Sequence, residues 1–233
     1  MDEAKKPALR PVDAATLILI DGAGADARVL LGRRSPKLKF LPNRLVFPGG
    51  ALDTSDRQMN VAGALDSRVE DRLLKGKPKA GPGYARALAL AAIREMYEET
   101  GVVVGVSDYG APENPPEGAW TEYAAHGCMP DLQDMHFVFR AITPPFMPRR
   151  FDTRFFALDA SSIAKQVEGF VHPDAELVEL TWMRLEEAEK FELHEITQRV
   201  VAALRERLAA GMSRFMPVPF TRMLHGKWRL DTL

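Results

Sequence analysis

The segment Tyr84–Gly101, YARALALAAIREMYEETG, constrains the fold more than any other. Its Ala, Leu, Glu, Arg and Met residues are strong helix formers, and Gly101 is the kind of residue on which helices end. Residues three and four apart share a helix face, so Glu95, Glu98 and Glu99 fall within an arc of roughly 100°. Ala89, Leu90, Ile93, Met96 and Tyr97 lie largely on the opposite arc. This predicts a helix with one side in a core and three carboxylates on the other. Like charges at this spacing repel by a few tenths of a kcal/mol per exposed pair. A divalent cation held through oxygen would relieve that repulsion. Arg94 stands one turn from Glu98 and could orient a carboxylate. Taken alone, the helix is equally consistent with an Arg–Glu surface pair and two spare acids.

The flanking sequence predicts strands. Ala14–Ile20 and Arg28–Arg34 read as a hairpin around DGAGADA, and Asn43–Gly50 as a short apolar strand stopped by Pro48, Gly49 and Gly50. Val102–Val106, Met135–Thr143, Thr153–Leu158 and Ala175–Leu185 are further strands. Helices are expected in NVAGALDSRVEDRLL, WTEYAAHG, EEAEKF and His194–Gly211. Residues from about 51 to 83, rich in turn residues and lysine, read as a surface insertion. PVPFTRMLHGKWRLDTL reads as a strap over the surface. Trp182 is expected in the core, and the five histidines show no metal-ligand spacing. Strands separated and followed by helices predict a mixed α/β sandwich in one domain over residues 1–233, with a helical C-terminal extension from about 186 to 233.

Composition removes several function classes. There are 31 basic and 32 acidic residues, for a net charge of −1. No basic surface for nucleic acid is therefore expected, and an anionic substrate must be held locally. Cys128 is the only cysteine, which excludes an internal disulfide and makes a cysteine-based zinc site implausible. MDEAKKPALRP has no apolar core of a leader peptide, and no apolar run approaches the ~20 residues of a membrane span. The expectation is a soluble cytoplasmic protein. Apolar residues at helical spacing in EITQRVVAALRERLA suit packing on the body or on a homodimer partner.

With FPGG at Phe47–Gly50 upstream, the chain resembles the Nudix hydrolases. The second half of their signature matches at Arg94, Glu95, Met96, Glu98, Glu99, Gly101 and Val102. Two departures stand out. Asp56 occupies the position where the family has Glu, and 37 residues rather than seven separate it from Arg94. Counting back eight from Arg94 finds Arg86, again not Glu.

The resemblance implies a metal-dependent hydrolase that cleaves the diphosphate of a nucleoside diphosphate derivative. It implies Mg²⁺ or Mn²⁺ ligands at Glu95, Glu98 and Glu99 and at the Gly49 carbonyl, with Arg94 orienting Glu95 or Glu98. A general base often lies outside the signature; Glu176 and Glu179 are the candidates, with a helix glutamate as the alternative. The split signature and RRFDTRFFAL (Arg149–Leu158) resemble more loosely the coenzyme A diphosphatase branch, implying a CoA or acyl-CoA substrate. Arg149, Arg150 and Arg154 then read as phosphate ligands or, equally, as exposed strand-end charges. ADP-ribose or dinucleotide hydrolysis, and a non-catalytic nucleotide-sensing module, are the alternatives on the same fold.

Overall fold

A computed structural model describes residues 9–233. The segment before Leu9, read above for a leader, lies outside the described residues. In chain order the elements are β1 (Val12–Asp21), β2 (Arg28–Arg34), β3 (Leu45–Val46), β4 (Gly49–Ala51), α1 (Ser67–Leu74), α2 (Pro82–Thr100), β5 (Val102–Val104), α3 (Ala119–Ala124), β6 (His136–Ile142), β7 (Phe151–Asp159), β8 (Ile163–Gln166), β9 (Leu177–Arg184), α4 (Glu195–Ala209), β10 (Pro219–Leu224) and β11 (Lys227–Thr232). No helix among the described residues is long and apolar enough to cross a membrane.

A mixed nine-stranded sheet carries the fold, in the order β11-β10-β6-β7-β1-β2-β3, with β4 on β1 and β9 on β2. The spine is the parallel pair β1–β7, in register from Val12 opposite Phe151 to Ile20 opposite Asp159. Strand side chains alternate between faces. Leu17, Leu19, Phe137 and Phe156 therefore pack under α2, while Ile18, Ile20, Val138 and Phe155 pack under α4. Helices on both faces make the α/β sandwich that the sequence predicts.

One feature of this sheet positions the site. β1 pairs with β2 only at Ile20 and Asp21. Below that the two strands part, and β4 pairs with β1 instead, placing Gly49 opposite Thr16 and Gly50 opposite Ala15. The glycine segment is thus a short strand wedged beside β1 and roofed by α2.

Helix α2 starts with Pro82 at its first turn and ends on Gly101, whose φ of +73° is the left-handed cap glycine adopts freely. It is buried around most of its circumference from Tyr84 to Ile93, more than the one-sided helix expected. The added cover comes from α1 and α3 and from the small sheet of β5 and β8.

Several expectations are corrected. The 51–83 segment is not only surface: Asp56, Met59, Val69 and Leu73 are buried, the three apolar ones in the α2 core. The C-terminal extension is helical only through α4, since β10 and β11 form a hairpin that joins the main sheet through a β10–β6 parallel pair. Trp182 is 37% exposed rather than in the core: it shares a face of β9 with the partly buried Leu180, while Met183 is buried on the opposite, α4 face. β8 had no counterpart in the sequence reading.

Candidate active site

Arg94 organises the site. Its guanidinium is buried and donates to five oxygens on four residues at once. Nε and Nη2 grip both oxygens of Asp56, at 2.8 and 3.1 Å. Nη1 reaches Glu95 at 2.8 Å and Glu98 at 2.5 Å, and Nη2 also reaches the Ala51 carbonyl at 2.8 Å. Burial opposes the charge on Arg94, but Asp56 and the two glutamates outweigh it and hold the group above its ordinary pKa.

Asp56 accepts, in addition, the Asp53 amide at 2.9 Å and the Trp120 indole N–H at 3.0 Å, and it is fully buried. The departure from the family pattern is thereby explained. A shorter acid at position 56 ties the glycine segment to α2 through Arg94, with Trp120 of α3 completing its shell. Arg86, where the other count found no Glu, donates instead to the Arg57 carbonyl and steadies the same turn.

The two glycines are required by close approach. A Cβ on Gly50 would fall 2.4 Å from Glu95 Oε1, and one on Gly49 would fall 2.6 Å from the Ala15 carbonyl. The Gly49 amide donates to Glu99 Oε2 at 3.1 Å. In an extended strand a residue's N–H and C=O point the same way, so the Gly49 carbonyl also faces α2.

The carboxylates are under electrostatic stress. Burial pushes Glu95 up to about 7, with Arg94 opposing and Glu98 and Asp56 adding to the shift. Burial, then the charges of Glu176 and Glu95, raises Glu99 well above its usual range, and only the Gly49 amide and Arg34 oppose this. Glu98 is the most exposed of the three. Among the described residues no three His, Cys, Asp or Glu side chains are gathered tightly enough to hold an ion between them. Arg94 is bonded to Glu95 and Glu98, while Glu99 has no cation in ion-pair contact among the described residues.

The other candidates separate clearly. Glu176 stands near enough to Glu99 to raise its pKa, and it is held by Arg34 at 2.7 Å. Glu179 is turned away: Arg33 binds it at 2.7 Å and it does not figure among the charges acting on Glu95 or Glu99. The reason is strand alternation, since Leu180 takes the α2 face of β9. Glu176 lies beyond a bulge at which Val178 of β9 is the extra residue, opposite Arg33 and Arg34 of β2.

Arg154 is neither an exposed strand-end charge nor part of the acidic helix face. It is fully buried, bonded to Asp13 at 2.7 Å and to Tyr84 at 2.9 Å, with Asp152 at 3.2 Å. Arg150 caps the Leu9 and Thr143 carbonyls, and Arg149 is exposed on the β6–β7 connection. None of these three arginines contacts the acidic helix face.

No protein-family model matches the chain. It is 27% identical over 157 residues to nudix hydrolase 7 of Caenorhabditis elegans, covering 62% of this chain and 43% of the relative. It is 33% identical over 109 residues to the acyl-coenzyme A diphosphatase NUDT19 of Xenopus laevis, covering 39% of this chain and 27% of the relative. The chain therefore spans less than half the length of these curated relatives. Among solved structures, the NUDIX hydrolase from Alicyclobacillus acidocaldarius superposes with a TM-score of 0.64 at 28% identity, covering 89% of this chain and 96% of that one. The signature residues gathered around Arg94, the glycine strand they enclose and this end-to-end likeness make the chain similar to the Nudix superfamily in both sequence and fold.

Proposed function

We propose that the chain hydrolyses the diphosphate linkage of a nucleoside diphosphate derivative with the help of a divalent cation. The observation that carries this is the surplus of carboxylate around one cation: Asp56, Glu95 and Glu98 all bond Arg94, and Glu99 lies beside them with no ion pair among the described residues. Buried carboxylates whose pKa values rise in the bare protein are those that gain most from a cation. The donors are all oxygen, which suits Mg²⁺ or Mn²⁺.

On this reading Glu95, Glu98, Glu99 and the Gly49 carbonyl would hold the cation, which would draw together carboxylates that Arg94 and the Gly49 amide keep apart in the bare protein. When bound, it supplies charge neutralisation at the diphosphate and acidification of a water. Arg94 keeps Glu95 and Glu98 in place, and Asp56 keeps Arg94 in place. Water attacks phosphorus, the P–O anhydride bond breaks, and the bridging oxygen leaves with the departing phosphate. Glu176, rather than Glu179, is the carboxylate outside the helix that can take the water's proton. The name of the Xenopus relative favours a CoA or acyl-CoA substrate.

The test is turnover of CoA, acyl-CoA, ADP-ribose, dinucleoside polyphosphates and NADH, with and without Mn²⁺ or Mg²⁺. Cation-dependent release of a phosphate product is expected, with CoA compounds fastest. Glu98→Gln should lower kcat by about 10²-fold or more, as loss of a charged group that stabilises a transition state does. Full activity in that variant rejects the cation site. Glu176→Gln should lower kcat while Glu179→Gln leaves it unchanged. Tight binding of one nucleotide without turnover would identify a sensor instead.

A further inference from the structure

β11 is the outermost strand of the large sheet, six residues long, whereas β3 at the other end has two. A long open edge is a template for another strand. The hairpin register fixes which groups it presents. Val218 and Leu233 exchange both backbone hydrogen bonds, at 3.3 and 2.9 Å. Such pairs alternate along an antiparallel ladder. Residues 227, 229 and 231 therefore turn their peptide groups to β10, and those of Trp228, Leu230 and Thr232 face outward.

The side chains divide by face. Trp228 and Leu230 share one face and are 45% and 65% exposed. Lys227, Arg229 and Asp231 share the other. Arg229 lies directly opposite Arg222, and like charges so placed destabilise a hairpin. Asp231 bonds Arg222 at 2.9 Å, while Arg229 has no ion-pair partner among the described residues.

A second copy of this chain could pair antiparallel along this edge about a two-fold axis. Centred on Trp228, the pairing sets Lys227 against Arg229. Centred on Arg229 it sets Arg229 against itself, and centred on Asp231 it sets Asp231 against itself. Centred on Leu230, each Arg229 faces the other copy's Asp231. The two Leu230 side chains then meet, with a Trp228 diagonal to each, and the outward peptide groups of residues 228, 230 and 232 are all paired. Charge sign and apolar alternation agree only in this register.

We infer that the chain self-associates as a two-fold dimer through antiparallel β11–β11 pairing centred on Leu230. Each Asp231 then lies between Arg222 of its own chain and Arg229 of the other. The inference is independent of the proposed chemistry, because no residue of the acidic helix takes part. A strand-edge contact is small for an interface, so the dimer should be concentration-dependent.

Sedimentation equilibrium over a range of protein concentrations tests this. A monomer–dimer equilibrium is expected for the native chain. Arg229→Asp and Asp231→Arg should each raise the dimer Kd about tenfold, by opposing like charges twice at the two-fold axis. The double variant Arg229→Asp/Asp231→Arg should restore dimerisation, and it still offers Arg222 an acidic neighbour, so the hairpin keeps its fold. Leu230→Lys should abolish the dimer, with Trp228 fluorescence reporting that the hairpin is intact. A monomer at every concentration overturns the inference. So does a dimer indifferent to the single changes, or one that the double variant fails to restore.

Discussion

Two buried arginines anchor α2 to the sheet, and their surroundings differ in one respect. Arg94 is surrounded by more acid than it can neutralise: Asp56, Glu95 and Glu98 bond it, and Glu99 lies close by. Arg154 sits in the reverse balance. Asp152 is gripped at both oxygens by Arg140, at 2.8 and 2.7 Å, and Asp13 takes Lys77 at 2.8 Å, so three cations share two acids. Burial works against the charge on Asp13, but Lys77 and Arg154 prevail and hold it below its usual pKa. The Arg154 cluster is closed and contains no spare carboxylate. A buried arginine–aspartate pair therefore serves once as a closed structural clamp and once as the centre of a group of carboxylates with surplus negative charge.

The comparison can be broken by cutting each clamp. Asp56→Ala leaves Arg94 without its bidentate partner and the Trp120 N–H unbonded, and should cost about 3–5 kcal/mol in denaturant unfolding, since removal of one partner strands a buried charge. Turnover per folded molecule should fall as well, because Glu95 and Glu98 lose their support. Asp152→Ala should cost a similar ~3–5 kcal/mol by the same mechanism, yet leave turnover of the surviving folded protein unchanged. Loss of activity in Asp152→Ala would erase the distinction between the two centres.

Smaller effects sharpen it. Mn²⁺ at 100-fold its Kd should stabilise the native chain by about 2.7 kcal/mol in thermal melts, and Glu95→Gln/Glu99→Gln should remove that gain while Asp152→Asn retains it. Gly50→Ala should destabilise by about 1–3 kcal/mol through overpacking against Glu95, and its activity should fall more than its stability. Trp120→Phe, which removes one donor to Asp56, should cost about 1 kcal/mol by the same unfolding measurement.

The parts of the fold written in strong local patterns were legible. β1, α2 and β6 are runs of residues whose propensity and periodicity agree, and the acidic helix face follows from spacing alone. Parity along β7 places Arg154 with Phe156 on the α2 face, and that signal was available. It was overridden by the cluster of arginines around it. The hairpin at the C-terminus was hidden by its prolines, although His225–Gly226, both at positive φ (49° and 75°), is a two-residue turn between alternating strands. The buried residues Met59, Val69 and Leu73 were masked by a lysine- and glycine-rich context. The choice between Glu176 and Glu179 depended on which face of the sheet each takes, next to a bulge at Val178 of β9 that no local pattern in that strand announces. Trp120 reaches Asp56 from a helix 64 residues away in sequence, so only the assembled fold could reveal it.

The Asp56–Arg94 pair also closes a loop. The 37 residues between them leave the site and return to it at two points bonded to each other. Closing a flexible loop costs only ~0.6 kcal/mol more for each doubling of its length. Lys75 and Lys77 are tied to Arg140 and Asp13, so it is the exposed turn after them, at Pro78 and Lys79, that can be lengthened with little effect on where Gly50 meets Glu95. In an engineered protein that turn is a place to insert a reporter or a second binding element, on the same segment as Asp56 yet separated from it by the buried residues Met59, Val69 and Leu73.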